Sequence, residues 1–261
     1  MAEQAILSEK RGAVGVLTIN RPRTLNALNI PTLLEMETAL TAFEVDDEVR
    51  AIVVTGAGER AFVAGGDIAD LHSRRGLAHY QEFAEVIHRV FRRFEDSDKP
   101  TIGVINGWAL GGGTELLLTL DIRLVAEDAK LGLPEITLGL FPGAGGSQRI
   151  IRQIPLCRAK ELMFTGDQIT AAEAVTLGLC NRAVPKAELM AKAMALAEQI
   201  AHKSPLTLKL LKRSLRQGVE MPLRAALSYE QALIGLVLDS NDAHEGCRAF
   251  LDKRSPQFNG N

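Results

Sequence analysis

The stretch "NGWALGGGTEL" (residues 106–116) passes from an apolar run into a helical pattern through three consecutive glycines. Glycine loses more conformational freedom on folding than any other residue. A carboxylate among apolar side chains, here Glu115 in front of three leucines, loses hydration that is hard to replace. The stretch therefore predicts a strand–turn–helix unit whose glycines either allow close packing or open the main chain to a ligand.

Two other stretches also combine glycines with a carboxylate. In "ERAFVAGGDIADL" (59–71) a strand pattern is followed by Gly65, Gly66 and a helical pattern. In "LPEITLGLFPGAGGSQR" (133–149) Glu135 follows a proline, and a glycine-rich helix start comes next. Taken singly, each turn fits ordinary packing of a helix on a strand, and a lone glutamate in a first helical turn fits the helix dipole.

Glu115 and Glu135 both stand beside glycine-rich turns. If the fold brings them together, burial and mutual repulsion favour one proton or one water shared by the pair. Helix N-termini offer unpaired N–H donors that stabilise an oxyanion without a charged side chain. Paired carboxylates with such donors suit proton transfer alpha to a carbonyl group. Nucleotide-binding motifs fit poorly, because the glycine runs have neither the spacing nor the acidic partner of a dinucleotide fingerprint and no G-K-[ST] occurs.

The first 130 residues alternate strand and helix patterns. Short runs rich in Val, Ile and Thr predict strands at 14–20, 50–56, 100–107 and 122–127. Amphipathic spacing predicts one helix that Pro31 opens and another over 79–95. This alternation is typical of an α/β fold with parallel strands.

From about Gly145 onward the patterns are almost entirely helical. Helices are predicted at 145–153, 157–164, 170–177, 186–202, 205–217, 222–238 and 242–252, with one short strand at 181–185. The last helices carry more apolar residues than one buried face needs, and such a surplus indicates burial against another subunit. The residues in question are Leu206, Leu208, Leu210, Leu211, Leu233, Ile234, Leu236 and Val237.

Composition narrows the classes of function. The chain has 261 residues, 46% of them hydrophobic, and a net charge of −2, so neither nucleic acid nor an anionic membrane is an expected partner. The three cysteines are far apart and the five histidines show no paired spacing, so a disulfide or a metal site is not expected. The N-terminal residues lack a signal pattern, and no apolar run reaches about 18 residues. A cytoplasmic protein is the expectation.

Together, "AFVAGGDI", "NGWALGGGTEL" and "LPEITLGLFPGAGGSQR", in this order and spacing, resemble the motifs of the crotonase superfamily, and most closely those of its enoyl-CoA hydratases. The resemblance extends from "LTINRPRTLNAL" (17–28) to "EGCRAFLDKRSPQF" (245–258). It implies a spiral of β-β-α repeats with the active site over residues 1–200. A helical region over 201–261 would form trimers, which often pair into hexamers.

The resemblance also implies catalytic roles. Gly66 and Gly112 match the residues whose N–H groups bind the thioester oxygen, although the family usually has alanine at the position of Gly66. Glu115 and Glu135 match the two hydratase glutamates. The presence of both favours hydration over double-bond isomerisation, for which family members commonly keep only the second.

Contacts with the substrate and its CoA group are implied for a further set of residues. These are Arg23, Leu25, Ala64, Asp67, Ile68, Trp108, Pro134, Gly143 and Lys253. Ala69 stands where many hydratases have lysine or arginine, so one phosphate contact is missing. The presence of Lys253 is explained equally well by a solvated C-terminal tail that makes no contact with CoA. CoA enters as part of the substrate, so neither a separate cofactor nor a metal is expected.

The motifs therefore predict a 2-enoyl-CoA hydratase, with the walls of its acyl pocket within 71–95 and at Trp108. One alternative is another acyl-CoA reaction on the same fold, such as Δ3,Δ2-isomerisation or dehydration of a specialised hydroxyacyl-CoA. A second alternative is a non-catalytic member that binds acyl-CoA or RNA. The intact glutamate pair and the near-neutral charge argue against this second alternative.

Overall fold

The strands form two sheets in a computed structural model, which describes residues 4–261, and the strands between residues 51 and 132 alternate between these sheets. The larger sheet has the spatial order β1 (Ile6–Arg11), β2 (Val14–Ile19), β3 (Ala51–Gly56), β5 (Thr101–Ile105), β7 (Ile122–Ala126) and β10 (Arg182–Val184). The smaller sheet has the order β4 (Ala61–Val63), β6 (Trp108–Leu110), β8 (Lys130–Gly132) and β9 (Gln168–Thr170). Neighbouring strands are parallel except in the pairs β1–β2 and β8–β9.

Helical segments follow the first four pairs of strands, so that this part of the chain repeats a β-β-α unit, whereas β9 and β10 are each followed directly by a helix. The α-helices are α1 (Ile30–Val45), α2 (Ile68–His72), α3 (Glu85–Asp96), α4 (Gly112–Leu117), α5 (Gly146–Ile150), α6 (Leu156–Thr165), α7 (Ala171–Thr176), α8 (Lys186–Ala201), α9 (Pro205–Gly218), α10 (Leu223–Leu238) and α11 (Asn241–Leu251). Short 3-10 turns cover Pro22–Thr24 and Pro134–Leu138, and a π-helical turn covers His79–Ala84.

The smaller sheet brings the three predicted motifs together. Strands β4, β6 and β8 are adjacent and parallel, with Val63 opposite Ala109 and Leu110 opposite Gly132. The carboxyl ends of adjacent parallel strands meet at one edge of a sheet, where α/β proteins commonly bind ligands. The loops that leave this edge contain the glycines after β4, the glycines after β6 and Glu135 after β8.

Helices α1 and α8 cover the larger sheet. In α1 the buried side chains recur at helical spacing, as in Leu33, Met36 and Leu40. Asn29 caps this helix by accepting the Thr32 N–H, and Pro31 lies in its first turn, as predicted. Strands β3 and β5 of this sheet are buried along their whole length, and so on both faces, which explains their continuous apolar runs.

Most predicted elements are present, with two kinds of difference. The helix predicted over 145–153 ends at Ile150, and residues 151–153 form a turn. The sequence patterns do not predict strand β1, although it has six residues. They also miss β6, β8 and β9, because three residues are too few to show a periodic pattern. The capping box at Thr170 and Glu173 is confirmed. The first three residues of the N-terminal stretch lie outside the described residues.

The C-terminal helices leave much of their apolar surface uncovered within one chain. The large apolar side chains on α9 and α10 that are at least 45% exposed are Leu211, Leu215, Leu223, Leu227, Ile234, Leu236 and Leu238. Among the described residues, none of the helices combines the length and the apolarity that a bilayer crossing requires.

Candidate active site

Each glycine of the run 111–113 meets a different geometric demand. Gly111 has φ 52° and ψ −120°, a backbone conformation that favours glycine. A Cβ on Gly113 would lie 1.9 Å from the carbonyl oxygen of Val63, so α4 can approach β4 only without a side chain there. Gly112 is the first residue of α4, where an N–H has no intrahelical acceptor. The run therefore provides a sharp turn, a close packing contact and an unused N–H donor.

A second N–H donor, for which residues 4–261 provide no acceptor, belongs to Gly66. The Leu28 N–H donates to the Gly65 carbonyl at 2.9 Å, and the Asp67 N–H donates to the Leu28 carbonyl at 2.7 Å. The C=O and N–H groups of a trans peptide point in opposite directions, so the Gly66 N–H faces away from Leu28. A Cβ on Gly112 would lie 3.5 Å from the Gly66 nitrogen, which puts both glycines beside the same gap.

Glu115 is buried one turn into α4 and is held by main-chain donors. Its Oε1 accepts the N–H of Ala144 at 2.7 Å and the N–H of Gly146 at 2.8 Å. Residue 146 is confined to glycine, because a Cβ there would lie 2.7 Å from Cγ of Glu115. Burial raises the pKa of Glu115, whereas the two N–H donors and the nearby Arg149 act in the opposite direction.

Glu135 has the opposite environment. Both of its carboxylate oxygens are buried, and neither has a hydrogen-bond partner among residues 4–261. Oε1 lies 3.1 Å from the position that a Cβ on Gly111 would take. Burial, followed by the charge of Glu115, raises the pKa of Glu135 to about 7. A buried carboxyl group without a partner is rare, and a pKa shifted to neutrality suits proton transfer.

One cavity of about 250 Å³ contains both carboxylates. Among the predicted site residues, those that line it are Ala64, Gly66, Ile68, Gly112, Glu115, Pro134, Glu135 and Gly143. Its other walls are largely apolar and include Leu71, Phe83, Ile87, Leu138, Leu140 and Phe141. The predicted segment 71–95 thus contributes Leu71, Phe83 and Ile87. Within the described part of the chain, no group of three or more His, Cys, Asp and Glu side chains is arranged to hold a metal ion.

The loop with Arg23 and Leu25 lies against the loop that follows β4. The Ala64 N–H donates to the Leu25 carbonyl at 3.0 Å, and Leu25 itself adopts a left-handed conformation with φ 54°. Arg23 is exposed on this loop. The carboxylate of Asp67 accepts a hydrogen bond from Arg21 at 2.9 Å and caps α2, so its side chain is already engaged.

Trp108 and Lys253 lie apart from the cavity lining. Trp108 is on β6 opposite Ala61, and 39% of its surface is exposed. Lys253 follows α11 with φ 54° and is exposed, and the adjacent Arg254 pairs with Glu245 at 2.7 Å. Contact of Trp108 or Lys253 with the substrate stays a prediction.

The sequence patterns did not reveal the donors that hold Glu115. Ala144 and Gly146 belong to "PGAGG", whose pattern indicates only a glycine-rich helix start. The usable signal in this stretch is the pair of adjacent glycines. Gly145 has φ 100°, which favours glycine, and Gly146 faces a glutamate that is distant in sequence. Only the fold shows which carboxylate these N–H groups contact.

This cavity brings two carboxylates together beside the N–H groups of Gly66 and Gly112. A family model described as enoyl-CoA hydratase/isomerase matches residues 9–261. The chain therefore belongs to the enoyl-CoA hydratase/isomerase family, and the predicted resemblance is confirmed.

Individual relatives agree over the whole chain. A short-chain-enoyl-CoA hydratase from Clostridium acetobutylicum is 41% identical and covers 95% of each chain. A crotonyl-CoA hydratase from Syntrophomonas wolfei is 41% identical and covers 99% of each chain. A crystal structure of an enoyl-CoA hydratase from Bacillus anthracis superposes with a TM-score of 0.95 at 38% identity, covering 99% of this chain and 100% of that one. The predicted α/β crotonase-like fold is confirmed by this superposition.

Proposed function

We propose that this enzyme is a 2-enoyl-CoA hydratase, which adds water reversibly across the 2,3 double bond of its substrate. Hydratase relatives that are 41% identical over nearly the full chain support this activity. The observation that carries the proposal is the pair Glu115 and Glu135 in one cavity beside the unused N–H groups of Gly66 and Gly112. An isomerase needs one base. Addition of water needs one group that takes a proton from the water and another that gives a proton to carbon.

The two glycine N–H groups form the proposed oxyanion hole. The thioester oxygen of the substrate accepts hydrogen bonds from Gly66 and Gly112. Attack of water at C3 moves negative charge onto this oxygen, so the donors stabilise the enolate-like transition state more than the substrate. Removal of one such donor typically raises a barrier by about 3–4 kcal/mol.

The two glutamates divide the proton transfers. Glu115, with two N–H donors that favour its ionised form, takes a proton from the water as its oxygen attacks C3. Glu135, whose pKa is raised to about 7, delivers a proton to C2. Each catalytic turnover moves one proton between the members of the pair, and proton exchange through the site restores the starting state.

CoA enters the site as part of the substrate, and no separate cofactor takes part in the proposed reaction. The loop of Arg23 and Leu25 is the proposed contact for the pantetheine and phosphates, since its main chain is bonded to the oxyanion loop. The proposed contacts with the adenine of CoA are Ala64, Ile68 and the main chain of Asp67. Pro134 and Gly143 border the acyl group, with further proposed contacts at Trp108 and from Lys253 of a neighbouring subunit.

The proposal includes a homotrimer or homohexamer, with a core over residues 1–200, an oligomerising helical region over 201–261 and a cytoplasmic location. Exposed apolar side chains on α9 and α10 support the oligomer. A cavity of about 720 Å³ between α9 and the core is partly lined by Leu211, Leu215 and Val219. A second subunit would exclude water from such surface. Sedimentation velocity at micromolar concentration tests this, and a monomer would contradict it.

Loss of the enoyl-thioester absorbance measures the activity directly. We expect the enzyme to bleach crotonyl-CoA, and Glu115→Gln and Glu135→Gln each to slow this by about 10²–10⁴. Glutamine preserves size and hydrogen bonding but cannot transfer the proton. The double variant should lose much less than the product of the two factors, because both groups act on one addition.

The same variants separate hydration from isomerisation. Shift of a 3-enoyl to a 2-enoyl double bond needs one base, so any such side activity should survive Glu115→Gln better than Glu135→Gln. Hydration by Glu115→Gln at the wild-type rate would overturn the two-glutamate mechanism, whereas isomerisation without hydration would favour an isomerase. Tight binding of crotonyl-CoA without bleaching would instead favour a non-catalytic member of the family.

A further inference from the structure

His88 on α3 contacts the loop that holds Glu115. Its Nε2 lies 2.7 Å from the carbonyl oxygen of Gly143. A carbonyl oxygen only accepts hydrogen bonds, so Nε2 of His88 carries the hydrogen and donates. The flanking residues Ile87, Val90 and Phe91 are buried, which fixes this part of α3 against the core.

The contact reaches Glu115 through a single peptide group. The carbonyl of Gly143 and the N–H of Ala144 belong to the same peptide, and that N–H donates to Oε1 of Glu115 at 2.7 Å. In a trans peptide these two groups point in opposite directions, so His88 and Glu115 lie on opposite sides of it. A donor on the carbonyl also polarises the peptide and strengthens its N–H as a donor.

Helix α3 holds the next peptide of the loop as well. Arg149 Nη1 donates to the Ala144 carbonyl at 3.2 Å, and its Nη2 pairs with Glu95 of α3 at 2.8 Å. His88 and Glu95 are seven residues apart, which is about two helical turns, so both project from one side of α3. The loop that supplies both donors to Glu115 is thus attached to α3 at two consecutive carbonyl groups.

We propose that His88 is a positioning residue for Glu115, acting through the Gly143–Ala144 peptide; this rests on the proposed role of Glu115 as the base. The hydrogen bond from His88 keeps this peptide oriented with its N–H toward Oε1. Without it the peptide is free to rotate, and Glu115 loses one of its two fixed donors. The carboxylate then samples orientations in which the water is poorly aligned for attack at C3.

Three substitutions at residue 88 test the hydrogen bond separately from packing. Glutamine places an N–H donor at about the reach of Nε2, asparagine is one methylene shorter, and leucine fills the space without a donor. We expect His88→Leu and His88→Asn to lower kcat for crotonyl-CoA about tenfold, which is the usual worth of one hydrogen bond. His88→Gln should stay within about twofold of wild type, and KM should change less than twofold in all three.

A double-variant cycle with Glu115→Gln shows whether His88 acts through the glutamate. If it does, His88→Leu should cause no further loss of kcat in the Glu115→Gln background. The proposal is overturned if His88→Leu is as fast as wild type, if His88→Gln is as slow as His88→Leu, or if the full tenfold loss persists in the Glu115→Gln background. Hydration by Glu115→Gln at the wild-type rate would overturn the proposed role of Glu115 as the base. Failure of the wild-type enzyme to hydrate crotonyl-CoA would overturn the proposed function itself, which is a distinct result.

Discussion

Glu115 and Glu135 lie in one cavity but are held in opposite ways. Oε1 of Glu115 accepts two main-chain N–H groups, whereas both oxygens of Glu135 are buried without a partner in the described part of the chain. The charge of Glu115 contributes to raising the pKa of Glu135 to about 7. The donors favour the ionised form of Glu115, so we expect a single proton on the pair to reside on Glu135.

This difference predicts a bell-shaped pH profile for kcat/KM. The active free enzyme carries one proton on the pair, and Glu135 loses it as the pH rises through about 7. Activity should therefore fall above about pH 7, and it should also fall at low pH, where Glu115 becomes protonated. Initial rates with subsaturating crotonyl-CoA between pH 5 and pH 9 measure both limbs.

Hydration and dehydration should follow the same profile. The reaction neither consumes nor releases a proton overall, so its equilibrium constant, and hence the ratio of the two kcat/KM values, does not change with pH. Dehydration of 3-hydroxybutyryl-CoA provides the second measurement. A rate that stays constant up to pH 9 in both directions would show that no group with a pKa near 7 takes part.

Glu135 should destabilise the folded protein at alkaline pH. Its pKa is about 7 in the fold against an ordinary value of 4.5, so the folded state binds the proton more tightly than the unfolded chain. The stability that this proton confers is complete below about pH 4.5 and is lost as the pH rises through about 7. Glu135→Gln, which cannot ionise, should therefore be more stable than wild type at pH 8 by roughly 1–2 kcal/mol, after allowance for solvent screening.

Thermal unfolding at pH 5 and pH 8 measures this effect as a difference in Tm. The advantage of Glu135→Gln should be clear at pH 8 and small at pH 5. Glu59→Gln is a matched control, because the side chain of Glu59 is 88% exposed. An equal Tm of wild type and Glu135→Gln at pH 8 would contradict the raised pKa.

The oxyanion hole can be tested at the first residue of α4. Gly112→Pro removes the N–H that the thioester oxygen would accept, and proline is well tolerated at a first helical position. We expect kcat to fall by about 10²–10³. Gly112→Ala retains the donor, and its Cβ would meet its nearest neighbours at 3.5 Å, an ordinary contact, so it should lose far less. Similar rates for the proline and alanine variants would show that the hole lies elsewhere.

Local patterns were sufficient for some parts of this site. Gly112 and Glu115 occupy one strand–turn–helix unit, whose glycines mark it within eleven residues of sequence. The alternation of strands and helices likewise predicts the α/β class, because the strands of the larger sheet are five or six residues long in most cases.

The remaining parts depend on contacts between distant segments. Strands β6 and β8 have three residues each, and their pairing places Glu135 beside the turn before α4. Without that pairing, Glu135 is one exposed-looking glutamate after a proline. His88 and Gly143 are 55 residues apart, and neither stretch contains a pattern that indicates their hydrogen bond. Tertiary structure alone assigns these partners.

The charge distribution of the cavity predicts which acyl groups the enzyme accepts. Among the described residues that line it, the charged side chains are Glu115 and Glu135, and the neighbouring walls are apolar, as at Leu71, Phe83 and Ile87. A carboxylate at the far end of an enoyl chain would be buried near two acidic groups without a cation to pair with. An unpaired buried charge costs about 3 kcal/mol or more, which corresponds to a factor of at least about 10² in rate.

We therefore expect kcat/KM for 2-hexenoyl-CoA to exceed that for the six-carbon 2-enoyl-CoA with a terminal carboxylate by a factor of at least about 10². The two substrates have the same chain length, so differences in chain fit largely cancel and the comparison reports on charge. Initial rates of absorbance loss at low substrate concentration give both values, and equal values would show that the acyl end lies in solvent or meets a cation outside this cavity.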